Sequence, residues 1–178
     1  ALLMPLINRR MEALLAAKEK DVSRNNHYVI VSDSALARNT AQELKARAQP
    51  VAFILARPPE PGLAEEDVVV GDASDLDVLR RAQTADAKAI LALGADDSEN
   101  AFVVMAAKEL SDNVKTVAVV NDARNMARIK RVHPDLIIAP QVLGGELTAM
   151  LLAGEQVTPD FVMQRVFQNV GTSSPGKS

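Results

Sequence analysis

Four apolar residues, Tyr28, Val29, Ile30 and Val31, run into a polar break at Ser32, Asp33 and Ser34. After Ala35 and Leu36 the pattern changes period, to Ala37, Thr40, Ala41, Leu44 and Ala48, the i, i+3, i+4, i+7 and i+11 of one helical face. Strand, tight turn and helix in that order constrain the chain more than any other stretch, because a strand that feeds a helix leads naturally to a parallel neighbour. The turn stands where a dinucleotide-binding βαβ unit carries Gly-x-Gly-x-x-Gly, yet the three glycine slots hold Ser32, Ser34 and Ala37. Three side chains therefore stand in the way of a pyrophosphate reaching the backbone.

The same alternation continues downstream. Residues 51–55 and 67–70 read as the second and third strands, separated by a stiff loop through Arg57, Pro58, Pro59, Pro61 and Gly62. Ser74 and Asp77 resemble a capping box opening a short helix through Leu76, Leu79 and Ala82. Residues 89–93 form the fourth strand, and a helix from about Ser98 has Phe102, Met105, Ala106 and Leu110 as its face. The fifth strand spans 116–120; Asp122 caps a helix that His133 and Pro134 end, and 136–138 is the sixth strand. Six strands alternating with five intervening helical patterns predict an α/β fold, a Rossmann-like, doubly wound parallel sheet with helices on both faces. A chain of 178 residues has room for one such core and some appendage. With 48% hydrophobic but only 3% aromatic residues, that core has to be built from Ala, Val, Leu and Ile.

Two helical runs follow the last strand. The first, over 141–153, places Leu143, Leu147, Met150 and Leu151 on one face, and the second, from Pro159, carries Phe161, Val166 and Phe167. Large apolar side chains left in water forgo roughly 1.5 to 3 kcal/mol apiece, so these faces need a cover, either the last helix folding back or a second chain. Residues 171–178 are Gly, Ser, Thr, Pro and Lys and read as a disordered tail. At the other end, residues 1–20 repeat apolar positions at helical spacing among Arg9, Arg10, Lys18 and Lys20. The run is too short to span a bilayer by itself. It reads either as an amphipathic helix packed on the domain or as the cytoplasmic end of a span. A polar linker leads from it to the first strand, with His27 as a linker residue.

Several chemistries find no support. A net charge of −3 with 24% charged residues of both signs makes no electrostatic case for nucleic acid. The absence of cysteine removes disulfides, thiolate metal sites and a cysteine nucleophile. The second strand ends in Ala56 and Arg57, where an acidic residue would hold the ribose of NAD, and Asp33 adds a negative charge to the phosphate loop. Ordinary NAD binding is not expected, and another nucleotide or a cation remains open. Gly71, Asp72 and Ala73 lie at the carboxyl edge of the third strand; Asp96, Asp97, Glu99 and Asn100 lie at that of the fourth. The acidic group suits a hard cation or, better, the N-terminus of the helix beside it. No nucleophile, base and orienting acid fall together, so the expectation is a protein that is not an enzyme.

The 29–44 unit, Gly71-Asp72-Ala73-Ser74, Asp97-Ser98-Glu99-Asn100 and Pro140-Gln141-Val142-Leu143-Gly144-Gly145 together resemble the RCK domain, the regulator of K+ conductance, also called the TrkA N-terminal domain. The resemblance covers residues 26–169 and leans toward the Kch-type bacterial potassium channels. It implies four parts: an N-terminal helix and linker on the pore-helix side over 1–25, a Rossmann-like core over 26–140, crossover and dimerisation helices over 141–170, and the tail. It further implies a homodimer or larger ring closed by Leu143, Leu147, Met150, Leu151, Phe161 and Phe167. In this picture the domain sits at the cytoplasmic face of the inner membrane and its ring pulls on potassium-channel pore helices N-terminal to this chain. Family members that bind nucleotides do so at positions matching Ser32, Asp33, Ser34, Ala35, Arg57, Asp72 and Ala73; the lost glycines and the missing ribose acid make this a degenerate nucleotide site. A soluble Trk-type potassium-uptake subunit is the alternative, and a pore upstream of Ala1, rather than a start at Met4, would separate the two. A nicotinamide-dependent oxidoreductase is the rival from another class, supported by topology alone.

Overall fold

β1 (Tyr28–Val31) is the axis about which the sheet is wound. The computed structural model describes residues 25–59 and 67–167. On one side β1 pairs in parallel with β2 (Val51–Leu55), Tyr28 opposite Val51, and on the other with β4 (Ala89–Ala92), Tyr28 opposite Ala89. β3 (Val68–Val70), β5 (Lys115–Val119) and β6 (Leu136–Ile138) extend it to the order β3-β2-β1-β4-β5-β6. This is the doubly wound order, in which the winding direction reverses between β1 and β4 and leaves a crevice at their carboxyl ends. The Rossmann-like α/β expectation holds.

Alternation along the strands assigns the layers. Val29, Ile90 and Ala92 point to one face, packed with α2 (Leu76–Arg81) and α3 (Asp97–Leu110). α4 (Met126–Lys130) continues that layer over Ala118 and Ile137 through Ile129. Ile30, Phe53, Leu55, Leu91 and Leu93 point to the opposite face, under Ala37 and Ala41 of α1 (Ala35–Ala46). Small residues on the inner sides of α1 and α3 let them approach the sheet closely, which suits a core with almost no aromatic content. After β6 come α5 (Pro140–Leu152) and α6 (Pro159–Phe167). The turn leaving α5 is a Schellman motif: Gly154 N–H bonds Leu151 O and Glu155 N–H bonds Met150 O, with Gly154 at φ +73°.

Several sequence readings need correction. Among the described residues four α-helices lie between the strands, and most of the β2–β3 connection falls outside those residues. Ala48 falls beyond α1. Asp75, not Ser74, caps α2, its side chain accepting the Asp77 N–H. The inner side of α3 is formed by Ala101, Val103, Val104, Ala106 and Ala107, while Phe102 and Met105 are 57% and 52% exposed. α3 sits over the sheet between α2 and α4, so two adjoining stripes of small residues are buried and the bulky pair is turned outward. His27 is no linker residue: it is fully buried and donates from Nε2 to Ala82 O at 2.9 Å. The helix read over 1–20, most of the linker after it and the tail over 171–178 lie outside the described residues.

Candidate functional site

The carboxyl ends of β1, β2, β3, β4 and β5 bring five loops to one edge. At the centre, Ser32 N–H still pairs with Ile54 O, and Leu93 N–H with Val31 O, so the sheet continues one residue past β1 and β4. Ser32 then turns at φ +103°, a backbone conformation natural to glycine and rare for a residue with a side chain. The slot has lost its glycine and kept the glycine geometry. Ser32 Oγ accepts the Ser34 N–H at 3.0 Å. Ser34 Oγ caps α1 by accepting the Ala37 N–H at 3.1 Å and donates to Leu93 O at 2.8 Å, tying the loop across the β1/β4 crevice. Arg38 Nη1 donates to Asp33 O, while the Asp33 and Ala35 side chains face solvent.

The other expected positions are less engaged with the crevice. Arg57 is exposed after β2. Gly71 ends β3 where a Cβ would lie 2.6 Å from Val78 Cγ2, so only glycine fits against α2. Asp72 Oδ1 accepts both the Ser74 N–H at 2.8 Å and the Ser74 hydroxyl at 2.7 Å, bonds that hold its carboxyl below the usual range. Ala73 is buried in the core against α2. Ser32, Asp33, Ser34 and Ala35 thus share the β1 loop, while Asp72 closes its own turn.

The acidic stretch after β4 divides its labour. Asp96 caps α3 by accepting the Ser98 and Glu99 N–H groups. Asp97 is 6% exposed and points to the β5 loop, accepting the Asn121 and Asp122 N–H groups and the Asn121 and Asn125 side-chain amides between 2.8 and 3.1 Å. Burial raises its pKa, and these donors outweigh burial, leaving it below the ordinary aspartate value. Asn100, also buried, accepts from Gly94 N–H and donates to Gly94 O and Val119 O. Among the described residues no cluster of His, Cys, Asp and Glu is arranged to hold a metal ion. Asp97, Asn121 and Asn125 form a lock between two loops that the sequence reading did not find; the signal available was the Asn121-Asp122 pair closing an apolar strand run.

The expected dimer face is a separate surface. No residue of α5 is fully buried: Leu143, Leu147 and Met150 are half-buried, and Leu151 and Leu152 are 66% and 85% exposed. On α6, Phe161 is half-buried, Met163 and Val166 are exposed, and the Phe167 side chain lies outside the described residues. Arg165 Nη2 reaches back to Glu146 Oε1 at 2.6 Å and its guanidinium lies 5.6 Å from the Phe161 ring centre. Between this helix pair and α4 opens a cavity of about 650 Å³, lined by Met126, Lys130, Val142, Leu143 and Val166 among others. Among the described residues no helix is long and apolar enough to cross a membrane.

The TrkA-N domain family matches residues 28–140 of the chain. The voltage-gated potassium channel Kch of Escherichia coli (strain K12) is 36% identical over 173 residues, which cover 93% of this chain and 41% of that protein. The chain thus spans less than half the length of that relative. Among solved structures, the GsuK RCK domain superposes with a TM-score of 0.64 at 24% identity, over 80% of this chain and 32% of that one. A GsuK channel bound to NAD superposes with a TM-score of 0.56 at 19% identity, over 77% of this chain and 25% of that one. At these identities the structural likeness is one of fold.

Proposed function

The chain belongs to the TrkA-N domain family, and we propose that it is the regulatory domain of a potassium channel, working at the cytoplasmic face of the membrane as a dimer or a ring of dimers. The observation that carries this reading is the α5–α6 pair, whose large apolar side chains are not completely covered among the described residues. A second copy of the chain is the cover that the RCK resemblance calls for. Phe102 and Met105, exposed on α3, offer a further apolar surface, which supports contact with more than one neighbour. A regulatory assembly needs two states of different energy and a partner or ligand that prefers one of them. It needs no catalytic group, and the carboxyl edge has its polar groups committed to one another rather than set out as nucleophile, base and orienting acid.

Leu151→Glu tests the dimer. Leu151 is 66% exposed in the single chain, so a charge there leaves the fold intact, whereas burying it in a dimer costs about several kcal/mol. Sedimentation equilibrium is expected to find a wild-type dimer and a monomeric variant with unchanged circular dichroism. A wild type that stays monomeric at high micromolar concentration would mean that the fold-back of α6 through Glu146 and Arg165 is all the cover α5 receives, and the assembly reading would fall.

A further inference from the structure

The β1 loop has the backbone of a nucleotide-binding loop, with part of its vacancy already filled from within the chain. In a dinucleotide site the amides that open the first helix point at a pyrophosphate oxygen, and the glycines let it come close. Here the Ser34 N–H is already bonded to Ser32 Oγ at 3.0 Å, and the Ala37 N–H to Ser34 Oγ at 3.1 Å. The Ser34 hydroxyl spends its proton on Leu93 O, across the crevice where the ligand would lie. Arg38, the cation nearest the loop in sequence, donates to the Asp33 carbonyl. Ser32 holds φ +103°, which a side chain adopts only when its surroundings over-determine it.

We propose that the Ser32 hydroxyl is a built-in stand-in for a ligand phosphate oxygen, and that it closes this site to adenine nucleotides. One intramolecular oxygen takes the amide that a phosphate would take, at the cost of a backbone conformation that suits glycine. The exposed Asp33 carboxylate adds repulsion toward any polyanion approaching the same loop. The inference is independent of the channel reading, since it concerns what the loop excludes and not what the domain regulates.

The test compares the wild-type chain with Ser32→Gly and Ser32→Ala, using ADP as the probe and amide NMR as the readout. Glycine removes the hydroxyl and suits the positive φ, so this variant keeps the fold; alanine removes the hydroxyl alone. In the wild type the Ser34 amide is expected to be protected from exchange, and millimolar ADP to leave the loop resonances unmoved. In Ser32→Gly the protection of Ser34 falls about tenfold, the worth of one hydrogen bond, while the β1 amides keep theirs. ADP then restores that protection and shifts Ser34 and Ala35. Ser32→Ala shows the same loss. Three results would overturn the proposal: ADP moving the wild-type loop as strongly as the variant's, Ser34 exchange that does not change when the hydroxyl is removed, or a freed amide that ADP fails to protect.

Discussion

The sheet keeps its apolar surface to itself, with Val29, Ile30 and Ala52 completely buried, whereas α5 buries no residue fully and leaves Leu152 85% exposed. The two regions are joined by a single residue, Ala139, between β6 and the start of α5. Small side chains on α1 and α3 meet strands at close range, and each unit of burial is internal. The α5–α6 pair instead carries Leu, Met and Phe at helical spacing, with α4 and the end of β6 beside it among the described residues. A domain core and an association surface are both apolar; what separates them is whether the chain supplies the second side of the contact. The polar parts differ in the same sense. At the carboxyl edge Ser32, Ser34, Asp97 and Asn100 each find partners within the chain, while Glu146 and Arg165 form an exposed pair that solvent screens.

Phe53→Ala should give the largest effect. Phe53 is almost fully buried beneath α1, and its truncation is expected to cost about 3–5 kcal/mol of folding stability. Chemical denaturation measures it, and a loss as small as that of a surface substitution would show that the two regions do not differ as described. Asp97→Asn comes next, at about 1–3 kcal/mol, because an amide cannot accept from all four of the donors that converge there. Since the folded Asp97 carboxyl is held below its ordinary value, the stabilisation is complete at neutral pH. It is lost as pH falls below about 4 through the folded value, so the gap between wild type and variant should close in acid. Thermal melts at pH 7 and pH 3 check that sign. The smallest effect belongs to Arg165→Ala, about 1 kcal/mol or less on folding, as for other exposed ion pairs. A larger loss, or one that appears only in the dimerisation constant, would place this pair between chains and sharpen the contrast.

The sequence by itself determined the order of strands and helices, since periods of two and of 3.6 are local properties of consecutive residues. The strand starting at Tyr28, the three missing glycines and the large apolar face beyond β6 were all legible there. Tertiary structure alone decided which side of α3 meets the sheet, because a helix packed between two others on a sheet buries its small residues and turns Phe102 and Met105 out. It also decided what the edge residues do. Asp97 finds its donors 24 to 28 positions away, and Ser34 finds its acceptor 59 positions away, across the switch in winding direction. Neither separation leaves a mark on local spacing. Even at Ser32, where the missing glycine was plain to read, the retained φ of +103° was not, because it is imposed by β2 and β4 holding the strand end on both sides.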